Sequence, residues 1–165
     1  MRKWLMATLF ALITGQVSAQ DMLMRDVFRQ MPDSIMPYLS QNNRLDFIDF
    51  LDSDMKAEVK NALGGTSEMT TLADDSLSIR MNESLRTDLL LMNLAQPIDS
   101  MTQIVVKIET FLVDSIYGES RVNYYSTEWK PLAFEPELTE VQRKRIDNHR
   151  LQNIVKKDDE VLNKR

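Results

Sequence analysis

The spacing of apolar residues changes once along the chain, and this change constrains the fold more than any other feature. Before the pair Gly64 and Gly65, apolar residues recur every three or four positions, as in Leu45, Ile48 and Leu51. Beyond the glycines they alternate with polar residues, which is typical of a half-buried β-strand. The sequence therefore predicts a helical region followed by a β-sheet.

Three helices are predicted before the glycine pair. The first covers residues 24–31, and the second is amphipathic and begins at a cap on Asn42 or Asn43, whose side chain can accept from the free amides of the next turn. A third helix is expected to run through Val59 and Leu63 and to end at the glycines, which favour the left-handed conformation of a C-terminal cap.

The second region predicts a meander of short strands. Short connections require antiparallel neighbours, because a parallel return needs a crossover of about a dozen residues. We therefore expect an α+β fold with N-terminal helices packed on one face of a four- to five-stranded antiparallel meander sheet. The expected strands lie at 77–82, 85–91, 104–113 and 121–126, with a weaker candidate at 69–72.

The N-terminus has the pattern of a cleavable export signal. Arg2 and Lys3 precede the apolar stretch 4–13, which is too short to span a bilayer, and small residues occupy 17–19. We expect residues 1–19 to be a signal peptide cut near Ala19–Gln20, so that the mature chain has no integral membrane span. This predicts a periplasmic or secreted protein.

The mature chain is expected to form a single α+β domain over residues 20–132, followed by a charged tail over 133–165 that is helical or partly disordered. Within the tail, Thr139 and Gln142 have the spacing of a capping box. The chain has no cysteine, so neither a disulfide nor a lipid-modified cysteine can stabilise or tether it.

The charge distribution excludes one class of partner. Without the signal peptide the chain has 18 basic and 25 acidic residues, a net charge of −7. The acidic excess lies in residues 20–132, which hold 10 basic and 18 acidic residues. Such a surface repels phosphate backbones, so we expect no nucleic-acid partner.

Three residue patterns are candidates for chemistry, and each favours an ordinary structural role. The single histidine, His149, lies in the polar tail and is expected to be solvated. The carboxylates at positions 46, 49, 52 and 54 suit the wet face of an amphipathic helix and lack the spacing of a calcium loop. Most of the eleven methionines occupy apolar positions. We therefore predict no catalytic, cofactor-binding or metal-binding residue.

One aromatic group is a candidate interaction surface. Tyr124, Tyr125 and Trp129 end the last predicted strand, and such side chains combine apolar area with a polar group. Because neighbouring strand residues point to opposite faces, one tyrosine is expected in the core and the other at the surface.

Two segments resemble an uncharacterised family of exported proteins from Bacteroidales. The first includes Arg44-Leu45-Asp46-Phe47-Ile48-Asp49-Phe50, Asn61-Ala62-Leu63-Gly64-Gly65 and Ser67-Glu68-Met69, and the second is Tyr124-Tyr125-Ser126-Thr127-Glu128-Trp129. The resemblance implies export from a Gram-negative cell and assigns no activity, cofactor or site residue.

Two functional hypotheses follow. The first is a non-enzymatic interaction module that binds an unknown protein or envelope component through the exposed part of its sheet and its basic tail. The alternative is a small hydrolase or ligand-binding domain with a carboxylate-lined pocket between helices and sheet. A filled interface favours the first, and a deep acidic pocket with raised carboxyl pKa values favours the second.

Overall fold

A computed structural model of the chain describes residues 21–113 and 116–162, and for 116, 117 and 152–162 it describes the backbone only. The predicted signal peptide lies outside the described residues. The sheet is an antiparallel meander whose strand order follows the chain from β1 to β6. Its six strands exceed the predicted four to five. They are β1 (Glu58–Lys60), β2 (Thr66–Ala73), β3 (Ser76–Arg80), β4 (Leu85–Ile98), β5 (Met101–Val113) and β6 (Ile116–Ser126).

The additional strand is β1, and it corrects the prediction of a third helix through Val59 and Leu63. Val59 pairs with Ser67 of β2, and the glycine pair lies in the turn between them, with Gly64 at a φ of 80°. Asn61 holds this turn, since its Oδ1 accepts from the amides of Leu63 and Gly65 at 3.0 and 3.1 Å. A strand of three residues has too few alternations to be recognised by its periodicity.

Two helices precede the sheet, α1 (Met24–Arg29) and α2 (Gln41–Asp52). The cap of α2 is Ser40 rather than the predicted Asn42 or Asn43. The Ser40 hydroxyl accepts from the Asn43 amide, and the Asn43 side chain accepts from the Ser40 amide, each at 3.2 Å. Asn43 therefore supplies the reciprocal bond of a capping box instead of the cap itself.

A buried arginine fastens the connection between these helices. Arg44 donates to the carbonyl of Leu39 at 2.6 Å and to the carbonyl of Met31, and it pairs with Asp33 at 2.8 Å. These carbonyls follow α1 and have no helical partner, so the guanidinium satisfies them while its charge is balanced.

The helices α1 and α2 cover one face of the sheet, which we call the first face. Their apolar side chains interdigitate with odd-numbered residues of the central strands, which are almost fully buried. The main contributors are Val27, Phe28, Phe47 and Ile48 from the helices and Leu77, Ile79, Leu89, Leu91 and Val105 from the sheet.

A third helix, α3 (Glu140–Leu162), covers the second face. It begins at the predicted capping box, where Gln142 Oε1 accepts from the Thr139 amide at 2.9 Å. Ile146 of α3 and Leu138 just before it pack on even-numbered residues of β4 and β5. The predicted placement of helices on one face therefore describes α1 and α2, whereas α3 adds a third layer. None of the helices in the described ranges is long and apolar enough to cross a membrane.

We expect Ile146→Ala to loosen α3, because Ile146 is an apolar side chain of this helix that is buried on the sheet. Truncation of a buried isoleucine costs about 2–5 kcal/mol. Hydrogen exchange should show faster exchange in α3 while α1 and α2 stay protected. Val141→Ala is the matched control, since Val141 is 79% exposed on the same helix. Equal exchange in both variants would contradict the packing of α3 through Ile146.

Candidate functional site

The predicted aromatic group does not form one surface. Trp129 is buried at 4% exposure, and its indole Nε1 donates to the Val27 carbonyl of α1 at 2.9 Å. Its ring contacts that of Tyr125, with centroids 5.8 Å apart. Trp129 has a φ of 65°, so the chain makes a sharp turn that directs the indole inward. This residue joins the end of β6 to the first-face core.

The two tyrosines lie on opposite faces, and both are half-buried rather than one buried and one exposed. Tyr125 packs on the first-face core, and Tyr124 packs on the second-face core. Burial raises the pKa of both phenols, with added effects of Glu135 on Tyr124 and of Glu109 on Tyr125. Their predicted role in binding stays a prediction.

The most prominent surface feature is the end of the β4–β5 hairpin. The register pairs β3 with β4 only as far as Leu90, and β6 with β5 only from Ile104 onward. Residues 93–103 therefore extend beyond both neighbouring strands. Asp99 and Ser100 close the hairpin with φ angles of 46° and 70°. We call this segment the hairpin end.

The hairpin end borders a cleft on the second face, which we call the apolar cleft. Its volume is about 560 Å³, and Leu94 and Ile98 of β4 form one wall. Phe134 and Leu138, from the connection between β6 and α3, form the other wall. Phe134 is 51% exposed. Glu137 adds a carboxylate at the rim, so this site can hold apolar groups next to a cation.

A second cleft of about 540 Å³ lies on the first face of the hairpin end. Met22, Met101 and Gln103 line one side, and the turn from Ser126 to Lys130 lines the other. The Met22 amide donates to Gln103 Oε1 at 2.8 Å, so the start of the described chain lies against the hairpin. Most residues around this cleft have polar side chains, and Met22 and Met101 are its apolar members.

A buried polar cluster between β3, β4 and α3 was not predicted. Asp88 of β4 is fully buried opposite Ser78 of β3, whose hydroxyl donates to its Oδ1. Arg86 Nε donates to the other carboxylate oxygen at 2.8 Å. His149 Nδ1 lies 3.5 Å from Oδ1, and the imidazole is only 16% exposed. The expectation that His149 is solvated is therefore wrong.

The cluster has the residue types of a hydrolytic triad but not its order. In a triad the imidazole lies between the hydroxyl and the carboxylate. Here Ser78 and His149 approach the same oxygen of Asp88, so the carboxylate lies between them. The imidazole cannot take the serine proton in this arrangement. The cluster instead provides a neutralised polar contact between sheet and helix.

Further polar contacts hold α3 in register on the sheet. Arg86 donates to the main-chain carbonyl of His149, and Gln142 Nε2 donates to the carbonyl of Asn93 at 2.7 Å. Arg145 pairs with Asp75 in the β2–β3 turn at 2.8 Å. Hydrogen bonds at Gln142 and at His149 thus hold α3 near both ends of the part whose side chains the structure describes.

The other predicted patterns behave as solvated or core residues. The carboxylates at 46, 49, 52 and 54 are exposed, and Asp52 forms a two-bond ion pair with Arg25 at 2.7 and 2.8 Å. Within the described ranges, no three histidine, aspartate or glutamate side chains are grouped so that they could hold a metal ion. Buried methionines such as Met24 and Met69 pack in the first-face core.

The comparisons with known proteins establish the family. Residues 14–161 match the family described as "Protein of unknown function (DUF3256)", and the chain belongs to it. No curated protein matches the chain.

Among solved structures, a domain of an uncharacterized protein from Porphyromonas gingivalis W83 is similar, with a TM-score of 0.54 and 21% identity. The match covers 69% of this chain and 57% of that structure, so the chain spans little more than half of its length. The likeness concerns the fold. Porphyromonas gingivalis is a member of the Bacteroidales, the group named by the sequence resemblance.

The Asp75–Arg145 pair predicts how the docking of α3 depends on pH. The Arg145 hydrogen bond holds the pKa of Asp75 below its usual value of 3.8. This pair therefore stabilises the folded chain above pH 3.8, and the contribution is lost as the pH falls through the lowered pKa. Both side chains are partly exposed, so we expect about 1 kcal/mol or less.

The measurement is the difference in unfolding free energy between wild type and Asp75→Asn from pH 7 to pH 2. The difference should shrink toward zero at the acid end and should also shrink in high salt. Repeating the comparison in an Arg145→Gln background is the control, because the pH dependence of the difference should disappear there. A difference that grows on acidification would show that the sign is wrong.

Proposed function

We propose that this protein is an exported, non-enzymatic binding module whose apolar cleft takes an apolar segment of another envelope protein. The observation that carries the proposal is the half-exposed Phe134, which lines an open cleft together with Leu94 and Ile98. Exposed aromatic side chains beside apolar walls are typical centres of protein interfaces.

The charge of the cleft indicates the chemistry of the partner. Glu137 lies at the rim, and Glu135 is nearby, where its Oε1 is 3.5 Å from the Tyr124 hydroxyl. A carboxylate beside apolar lining residues favours a segment that carries apolar side chains and a cation. The acidic excess of residues 20–132 would also attract a basic partner at longer range.

The packing supports binding over the alternative of a hydrolase with a carboxylate-lined pocket. Apolar side chains fill the interface between α1, α2 and the first face. Where the pKa of a described Asp or Glu clearly departs from its usual value, it is lowered by a cation, as in Asp52, Asp75 and Glu128. A carboxylic acid that serves as a proton donor near pH 7 needs a raised pKa.

Export rests on the N-terminal pattern and has its own test. We expect the chain recovered from cells to lack residues 1–19 and to begin at Gln20. Mass spectrometry of the N-terminal peptide from fractionated cells measures this directly. A chain that retains Met1 to Ala19 in the cytosolic fraction would refute the localisation while leaving the binding site open to test.

Site-specific photocrosslinking tests the cleft. A photoreactive residue at Gln96, on the rim of the apolar cleft, should capture a discrete partner in cells. The same residue at Glu83, in the turn at the opposite end of β4, should not. Phe134→Ser should reduce capture about tenfold, because loss of an aromatic contact at an interface costs about 1–2 kcal/mol.

Val141→Ser is the matched control for Phe134→Ser. Val141 is also an exposed apolar residue, but it lies on α3 outside the cleft, so capture should be unchanged. Both variants should unfold at the wild-type temperature. The proposal fails if Gln96 and Glu83 capture the same proteins, or if Val141→Ser lowers capture as much as Phe134→Ser.

A further inference from the structure

The two edges of the sheet differ in how well they are protected. One edge strand, β1, has three residues and is the next element after α2. The other, β6, has eleven residues. Among the described residues, only Pro131 pairs with its outer side, opposite Tyr125. A long edge strand presents unpaired amides and carbonyls that can pair with another strand.

The free part of the β6 edge is defined by its neighbours. Near its end, the Ser126 amide donates to the Lys130 carbonyl and the Tyr124 carbonyl accepts from the Leu132 amide, each at 2.9 Å. Even-numbered residues between the register shift at Gly118 and the strand end at Ser126 therefore direct their main-chain groups outward. By the alternation of a strand, Ser120 and Val122 do the same. We call residues 118–123 the free edge.

We infer that the free edge pairs antiparallel with the free edge of a second copy of this chain. Several registers present outward-pointing groups to each other, and the two that pair the most residues of the free edge are centred on Ser120 and on Arg121. With Ser120 at the centre, Glu119 of each copy lies directly opposite Arg121 of the other. With Arg121 at the centre, two arginines oppose each other, which is unfavourable. The charges therefore select the Ser120 register.

The side chains of the free edge are placed for this pairing. Glu119 and Arg121 are both exposed, and each lies opposite a first-face residue of β5, Phe111 and Glu109 respectively. The Arg121 guanidinium lies over the ring of Phe111, 5.9 Å from its centre. This contact holds the cation on the first-face side of β6, where Glu119 of the second copy would arrive.

Charged residues on an edge strand often prevent pairing with another strand. Charges of one sign would block every copy of the same strand. Here Glu119 and Arg121 have opposite signs two positions apart, so self-pairing is compensated in the Ser120 register. The pattern disfavours the Arg121 register and favours the Ser120 register. The hairpin end and the apolar cleft take no part in it, so the inference goes beyond the proposed function.

Charge exchange tests the pairing and its register. We expect the mature wild-type chain to form dimers in sedimentation experiments over about 1 μM to 1 mM, in a salt-dependent equilibrium. Glu119→Arg and Arg121→Glu should each weaken dimerisation at least about tenfold. Each substitution places like charges opposite each other at both 119–121 pairs of the dimer. The double variant Glu119→Arg/Arg121→Glu should recover wild-type dimerisation, since the pairs are restored with reversed signs.

Mixing the two single variants gives a second readout. One then has two cations and the other two anions on the free edge, so we expect a heterodimer stronger than either homodimer. The substituted residues are exposed, and unchanged thermal unfolding confirms the fold. A wild-type chain that is monomeric throughout would overturn the inference, as would dimers indifferent to all exchanges. Loss of dimers on Arg121→Glu without recovery in the double variant would overturn the Ser120 register.

Discussion

The whole structure depends on a sheet whose central strands are apolar on both sides. Leu89 and Leu91 point to the first face, and Leu90 and Met92 point to the second, with all four nearly inaccessible to solvent. An antiparallel sheet can leave one face in water, but a strand with this composition cannot. Helical layers on both faces are the consequence, and the cysteine-free chain is stabilised without crosslinks.

The polar residues buried in these layers determine how the layers meet. Arg44 satisfies the carbonyls between α1 and α2, and Trp129 bonds the end of β6 to α1. On the second face, Asp88 and Arg86 connect the sheet to α3. Apolar contacts alone would allow the helices to slide, whereas directional bonds permit one register. The hydrogen bond from Ser78 to Asp88 belongs with these positioning contacts.

The surfaces left for interaction are those that the three layers do not cover. The hairpin end extends past β3 and β6, which exposes apolar side chains near Phe134. The free edge of β6 ends where Lys130 and Leu132 begin to protect the strand. These two surfaces involve different residues, so a self-associated chain would still present its apolar cleft.

The sequence by itself determined the local structure wherever that structure depends on residues that are close together along the chain. The alternation around Leu77 and Ile79, the left-handed Gly64 and the capping box at Thr139 were all predictable from residues a few positions apart. Strand β1 was not, because three residues become a strand only when β2 pairs with them. Tertiary structure also decided which face α3 covers.

The same distinction explains the candidate sites. The Trp129 indole finds its acceptor 102 positions away, and the carboxylate beside His149 lies in β4, far back along the chain. Local composition made both residues look like surface groups. The apolar cleft likewise joins β4 to the segment after β6. Local periodicity reports which elements form, but contacts between distant segments arise only when the sheet brings them together, because burial and hydrogen bonding depend on position in space.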